Sequence, residues 1–339
     1  MKLFAFLLLL ISLSLSQQPN YSPPGKLVDI GGYKLHLNCT GKDGPTVVLI
    51  AGAGDFSLDW ELVQPDVARF TRVCSYDRAG LAWSDPGPTP RTMRQDAHEL
   101  HWLLRAARVK APYVLVGHSL GGLIARVYAE EFPKEVAGML LVDSTHEDTV
   151  LMFQGKLVRI REHAKGRPVP PAQTIKTSPP KPPTKEDLEQ FESNQKNSGP
   201  PKIGRPFDKL SASTQAMRLW ARSQPPRAAG SEDFWSEELQ VMHTTRAKTP
   251  YQLGNRPLVI LLPKAGYGSA PSGISADDWK SFNEEKRQQK LDLASLSHNS
   301  KVIVAENSRH HIQLDEPQVV TEAIRLVVDS VRRNSKLSP

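Results

Sequence analysis

The 339-residue sequence has two cysteines, few aromatic residues and no long apolar run beyond its first 16 residues. No later run approaches the ~20 apolar residues that a membrane-spanning helix needs. Although the formal net charge is +7, the basic residues are dispersed and form no arginine-rich stripe with interleaved aromatics. A nucleic-acid-binding surface is therefore not predicted. The Cys and His residues lack metal-ligand spacing, so we predict no metal and no cofactor.

Residues 1–16 have the pattern of a secretory signal peptide. Lys2 supplies the positive start, Leu3–Leu13 the apolar stretch, and Ser14–Ser16 a small-x-small cleavage pattern before Gln17. This apolar stretch is too short to span a bilayer. We predict a secreted or periplasmic protein without stable membrane insertion once the signal is removed. An uncleaved N-terminal anchor is the alternative.

Patterns typical of buried strands alternate with helical patterns in two parts of the chain, residues 17–143 and 257–339. This alternation predicts an α/β fold with a mostly parallel sheet and helices on both faces. One of the helical patterns covers residues 58–70. Between the two parts, residues 144–256 contain helical patterns and a proline-dense segment but no convincing buried strand. We predict that they form an inserted lid over the carboxyl edge of the sheet.

A G-x-S-x-G pattern places Ser119 between a predicted strand, Tyr113–Val116, and a predicted helix, Leu123–Glu131. A strand, a sharp turn and a helix around such a serine form a nucleophile elbow, which lifts the hydroxyl above the sheet edge. Glycines at 117 and 121 permit the close strand–helix approach. The pattern therefore predicts Ser119 as a nucleophile.

A serine hydroxyl needs a neighbouring base at neutral pH. His310 and His311 directly follow the last predicted strand, in a loop from which a histidine can reach a serine at the sheet edge. His118 lies inside the elbow and is expected to pack beside it. The pair at 310 and 311 is therefore the predicted source of the base.

These motifs, in this order, resemble the α/β-hydrolase fold superfamily over nearly all of the predicted mature length. The greatest resemblance is to bacterial exported serine hydrolases similar to proline iminopeptidases and haloalkane dehalogenases. The resemblance implies an eight-stranded sheet. The segments that carry it are Ala51–Gly54, Asp77–Gly80, Gly117–Gly121, Val142–Asp143 and Ser308–Asp315.

The resemblance also implies roles for individual residues. Alignment on Ile312-Gln313 makes His310 the base, and Arg309 stands where relatives usually have glycine. No carboxylate follows the penultimate strand, so the alternative acid position used by some relatives, Asp143, is the predicted orienting acid. The other carboxylates considered for this role are Asp277, Asp278 and Glu147.

Two further features follow from the resemblance. The backbone amides of Leu120 and Ala53 are the predicted oxyanion hole, Leu120 because it follows the nucleophile and Ala53 by alignment of its glycine-rich loop. The superfamily's sheet places the strand ending near Cys39 beside the strand holding Cys74, so a Cys39–Cys74 disulfide is predicted.

Together these features predict a serine hydrolase that cleaves a small-molecule carboxylic ester through an acyl-enzyme. One alternative is an aminopeptidase or amidase similar to proline iminopeptidases. It would need acidic residues to hold a substrate ammonium, and the candidates are Glu232, Asp233, Glu237 and Glu238. Another alternative is a non-catalytic binding protein on the same scaffold.

Overall fold

The computed structural model describes residues 21–153, 156–173, 180–230, 232–250, 252–266 and 268–337. The predicted signal peptide lies outside these residues. The described strands are β1 Lys26–Asp29, β2 Lys34–Thr40, β3 Thr46–Ile50, β4 Val73–Tyr76, β5 Tyr113–His118, β6 Val136–Val142, β7 Val150–Phe153, β8 Lys156–Arg159, β9 Leu258–Pro263 and β10 Ser300–Ala305.

The described α-helices connect these strands and cover the sheet. They are α1 Gln64–Val67, α2 Met93–Ala106, α3 Leu120–Glu131, α4 Lys185–Ser198, α5 Ala212–Ser223, α6 Trp235–Lys248, α7 Ala276–Asp292, α8 Ile312–Asp315 and α9 Pro317–Arg333. None of the helices in the described ranges is long and apolar enough to cross a membrane.

Eight strands form one sheet in the order β1-β2-β4-β3-β5-β6-β9-β10. Only the pairs β1–β2 and β2–β4 are antiparallel. Apolar residues of the central strands are buried on both faces, against α2 and α3 on one face and α9 on the other. Burial on both faces explains why these strands are continuous aliphatic runs. The predicted mostly parallel, eight-stranded α/β sheet is confirmed.

The parallel strands bring distant loops to one edge of the sheet. Gly52 and Ala53 follow β3, Ser119 follows β5, Asp143 follows β6 and His310 follows β10. Since the carboxyl ends of parallel strands share an edge, ligand sites of α/β sheets lie there. The topology thus gathers the predicted site residues.

The described parts of residues 144–256 lie between β6 and β9 in the chain. They contain α4, α5, α6 and the two-stranded hairpin β7–β8. Leu151 and Leu157 of the hairpin are exposed, so it is not a buried strand pair and does not join the main sheet. The sequence patterns over residues 186–195 and 211–222 predict helices, and α4 and α5 lie there.

The prediction of one helix over residues 58–70 is wrong. The segment instead forms a 3-10 turn, Ser57–Trp60, and the separate short helix α1. Pro65 occupies the first turn of α1, where its missing N–H is tolerated. In a longer helix the same ring would remove a hydrogen bond and clash with the preceding turn.

The predicted disulfide is confirmed. Cys39 of β2 lies directly opposite Cys74 of β4 in the antiparallel register, and the two sulfurs are bonded. The bond closes a sequence separation of 35 residues and joins the second and third strands of the main sheet. A crosslink of this kind stabilises a fold mainly by restricting the unfolded chain.

Replacing Gly121 by alanine is expected to destabilise the protein by about 2 to 3 kcal/mol, the upper part of the range for overpacking a dense core. A Cβ at this position would lie 2.8 Å from the Ala51 carbonyl oxygen and closer still to that of Ile50. These are backbone atoms at the buried end of β3, and they cannot move aside without a large energetic cost. The gain in helix propensity, about 1 kcal/mol, is smaller.

Urea unfolding of Gly121→Ala beside Gly204→Ala checks this expectation. Nothing lies within 4 Å of a Cβ at Gly204, so that substitution should change stability by no more than about 1 kcal/mol. Equal urea midpoints for the two variants would contradict the close approach of Gly121 to the backbone at the end of β3.

Candidate active site

Ser119 occupies a strained turn between β5 and α3. Its backbone has φ 52° and ψ −119°, a region that residues with side chains rarely adopt. Its N–H donates to the Val142 carbonyl at 3.2 Å, and its carbonyl accepts from the amides of Gly122 and Thr145 at 3.1 Å each. Neighbouring backbone therefore holds the strained conformation in place. This is the geometry of the nucleophile elbow that the sequence pattern predicts.

The structure brings His310 and Asp143 together. His310 Nδ1 lies 2.6 Å from Asp143 Oδ2, across 167 positions of sequence. The Asp143 side chain is 1% exposed and that of His310 is 36% exposed, so the imidazole bridges a buried acid and the open side of the site. Asp143 is a carboxylate acceptor, so Nδ1 carries the proton and Nε2 is left as the basic nitrogen.

Lys290 of α7 contacts the other oxygen of Asp143, and sequence reasoning did not identify it. Both side chains are buried. Burial acts to raise the pKa of Asp143, but Lys290 and the hydrogen bond from His310 together hold that pKa well below its ordinary value. Asp143 is therefore ionised at neutral pH. No local motif marks Lys290, because it meets Asp143 across 147 positions of sequence.

The other candidate acids have different partners. Asp278 accepts a hydrogen bond from the Ser275 hydroxyl at 2.6 Å, at the start of α7, and Asp277 is exposed beside it. Glu147 is buried between the guanidinium groups of Arg126 and Arg246, at 2.6 and 2.7 Å. Asp143, whose Oδ2 lies 2.6 Å from His310 Nδ1, is therefore the candidate acid that this geometry favours.

His118 anchors the loop that carries His310. Burial lowers the pKa of His118 to about 3, so its ring is neutral. Its Nε2 donates to the backbone carbonyl of His310 at 2.9 Å. The expectation that His118 packs beside the elbow is confirmed, and the structure adds this tether. His311 points elsewhere, with Nε2 3.2 Å from Asp55 Oδ2.

Arg78 orients the loop after β3. It donates from Nη1 to the Ala51 carbonyl at 2.6 Å and from Nη2 to the Gly52 carbonyl at 2.7 Å. In a trans peptide the N–H points opposite to the C=O, so the Ala53 amide faces away from Arg78. A Cβ at Gly52 would lie 3.2 Å from Ser119 Cβ, which places this loop against the nucleophile. The arrangement supports the expected oxyanion role of Ala53.

Leu120 is the first residue of α3. The N–H groups of a helix's first turn have no partner within the helix and lie at the positive end of its dipole. An amide in this position can donate to a developing oxyanion beside Ser119. The sequence-based expectation for Leu120 therefore agrees with its place in the fold.

Asp55, His118 and His311 are a set of potential metal ligands, with ligand atoms within 4.8 Å of one another. Asp55 and His311 already contact each other at 3.2 Å, and His118 Nε2 donates to the His310 carbonyl, whereas His118 Nδ1 has no hydrogen-bond partner among the described residues. Arg218 of α5 donates to Asp55 Oδ1 at 3.0 Å and also pairs with Asp59. The cluster therefore links the loop after β3 to the inserted segment, and we do not propose a metal there.

The acidic residues considered for an aminopeptidase are committed to other contacts. Glu232 and Glu237 pair with Arg167. Glu238 accepts from the Met93 and Arg94 amides at 2.9 and 3.1 Å, at the start of α2, and burial raises its pKa to about 7. These carboxylates cap and brace helices.

Comparison with known proteins is consistent with this fold. A family model described as alpha/beta hydrolase fold matches residues 45–162. The uncharacterized protein YqjL of Bacillus subtilis is 27% identical over 88% of this chain and 90% of its own length.

Two solved structures illustrate the similarity in fold. A thermophilic esterase from Thermogutta terrifontis is 18% identical, with a TM-score of 0.54 over 90% of this chain and 98% of its own. The enol-lactonase from Burkholderia xenovorans is 14% identical, with a TM-score of 0.56 over 88% of this chain and 98% of its own. Sheet order, elbow and family match agree, and the chain has the α/β-hydrolase fold.

Proposed function

We propose that this protein is a serine hydrolase that cleaves a small-molecule carboxylic ester through an acyl-enzyme. The observation that carries the proposal is the 2.6 Å contact between His310 Nδ1 and Asp143 Oδ2, at the sheet edge where Ser119 forms the elbow. A nucleophile, a base and an orienting acid on three separate loops are the parts that acyl transfer needs. The esterase and the enol-lactonase on the same fold are consistent with this chemistry.

In the proposed mechanism, Ser119 Oγ attacks the ester carbonyl carbon while His310 Nε2 takes its proton. The negative charge that develops on the carbonyl oxygen is stabilised by the amides of Leu120 and Ala53. Asp143 holds Nδ1–H and stabilises the imidazolium, which then gives its proton to the leaving alcohol oxygen. A water molecule, deprotonated by His310, releases the acyl group and restores Ser119.

The aminopeptidase alternative receives no support from a specific contact. Glu237 and Glu238, the buried members of the acidic group, already bind Arg167 and the start of α2. A substrate ammonium would have to displace these partners. We therefore keep the ester as the proposed substrate class.

We also propose that the mature protein is secreted or periplasmic. The signal-peptide pattern of residues 1–16 and the Cys39–Cys74 disulfide agree, since disulfides persist in oxidising compartments. Recovery from the periplasm or medium of a protein whose intact mass lacks residues 1–16 checks this, and a cytosolic full-length product would contradict it.

Labelling with a fluorophosphonate, read by intact mass, tests the catalytic proposal. Wild type should take a single adduct, because only an activated serine reacts readily with this reagent. The adduct should be absent from Ser119→Ala and nearly absent from His310→Ala. Ser193→Ala, which removes an exposed serine of α4, should be labelled like wild type. A folded wild type that takes no adduct would favour a non-catalytic binding protein.

A further inference from the structure

A cavity of about 560 Å³ reaches His310 and Asp143 from the side of α7. Its described lining includes two carboxylates, Asp143 and Glu284. Six cationic side chains outnumber them, so the cavity wall carries an excess of positive charge. These are Lys264, Lys280, Lys286, Arg287, Lys290 and Arg309.

The excess is not removed by ion pairs within the protein. Among the described residues, Lys280, Arg287 and Arg309 make no side-chain ion pair, and all three are exposed. Glu284 accepts a hydrogen bond from Gln288 at 2.6 Å and forms no ion pair with these cations. Three cationic side chains that line one cavity are therefore available to a ligand.

A fourth cation lies deeper in the wall. Lys286 is 8% exposed, and its ammonium donates to the neutral hydroxyl of Thr149. Burial lowers the pKa of Lys286 to about 8, with neighbouring Lys290 acting in the same direction. It therefore remains mainly protonated at neutral pH. An anion beside a desolvated ammonium interacts more strongly than it would in water.

We propose that this cavity binds an anionic group of the substrate, so that the preferred esters carry a carboxylate or a phosphate. The inference rests on the proposed function, because it assigns the substrate class of the same site. A neutral ester would leave Lys280, Arg287 and Arg309 without an anionic partner, and an ammonium-bearing peptide would be repelled by them. Arg309, which replaces the glycine usual in relatives, supplies one of these cations.

A matched pair of esters tests the preference: mono-4-nitrophenyl adipate, with a terminal carboxylate, and 4-nitrophenyl hexanoate, which lacks it. Wild type should favour the adipate ester in kcat/KM by about 10-fold to 100-fold, the range for one or two charge-assisted hydrogen bonds. The double variant Lys280→Gln/Arg287→Gln should lower this ratio by about tenfold. The control Lys110→Gln/Lys134→Gln replaces two exposed lysines outside the cavity and should leave the ratio unchanged.

Calorimetry on Ser119→Ala separates the two proposals, because it does not depend on turnover. This variant should bind adipate or inorganic phosphate, but not 1,6-hexanediol, and the Lys280→Gln/Arg287→Gln substitutions should weaken that binding about tenfold. Whichever of adipate and phosphate binds more tightly shows whether the cavity prefers a carboxylate or a phosphate. Anion binding without a kinetic preference supports the cavity and places the charge on the alcohol part of the ester.

Absence of both the kinetic preference and the anion binding would overturn the inference while leaving a serine hydrolase intact. If wild type turns over neither ester and takes no fluorophosphonate, the proposed function fails. The calorimetric result then shows by itself whether the cavity binds an anion.

Discussion

Replacing Ser119 by alanine is expected to lower kcat by a factor of about 10⁴ to 10⁶, as removal of a catalytic nucleophile does. The alternative route, direct attack of water on the ester, lacks the oriented hydroxyl and can use only the oxyanion donors and binding. Steady-state hydrolysis of a 4-nitrophenyl ester measures the change. Ser193→Ala should retain the wild-type kcat.

The fold of Ser119→Ala should be retained. The substitution removes one hydroxyl and leaves the backbone hydrogen bonds of residue 119 to Val142, Gly122 and Thr145 in place. Thermal unfolding should therefore change little, and a lost activity then reports chemistry rather than misfolding. A folded Ser119→Ala variant within tenfold of wild type in kcat would refute Ser119 as the nucleophile.

Replacing Asp143 by asparagine is expected to lower kcat by a factor of about 10³ to 10⁴. Asparagine has nearly the same shape but carries no charge to stabilise the imidazolium of His310. Its amide can also select the wrong tautomer by donating to Nδ1. Asp277→Asn, at an exposed carboxylate that the sequence also offered, should retain wild-type kcat.

The contact with Lys290 permits an experiment that separates the catalytic role of Asp143 from its structural role. Asp143→Asn leaves a buried ammonium without its carboxylate, which is itself destabilising. The double variant Asp143→Asn/Lys290→Met removes both charges and should recover stability in urea unfolding while kcat stays low. Recovery of kcat in the double variant would mean that Asp143 serves only as the partner of Lys290.

Local sequence was sufficient for the nucleophile and for most of the fold. The elbow at Ser119 is one contiguous stretch whose strand, glycine spacing and helix can be recognised without tertiary information. Buried parallel strands are likewise continuous aliphatic runs. The helix expected over residues 58–70 failed because the pattern of apolar residues took no account of Pro65.

The superfamily resemblance added what local patterns do not contain. It implied the pairing of Cys39 with Cys74, which the register of β2 and β4 confirms. It also separated His310 from its neighbour His311, whose sequence surroundings are nearly the same. The geometry agrees, since His310 meets Asp143 whereas His311 meets Asp55.

The sequence by itself thus determined the class of fold, the position of the candidate nucleophile and a short set of candidate acids. Only the tertiary structure showed that Asp143 contacts His310 and that Lys290 contacts the same carboxylate. It also showed that cations of α7 line the cavity beside them. The physical reason is distance along the chain. Contacts across 147 and 167 positions depend on the directions in which separate loops and a helix leave the sheet, and no periodicity within one segment encodes those directions.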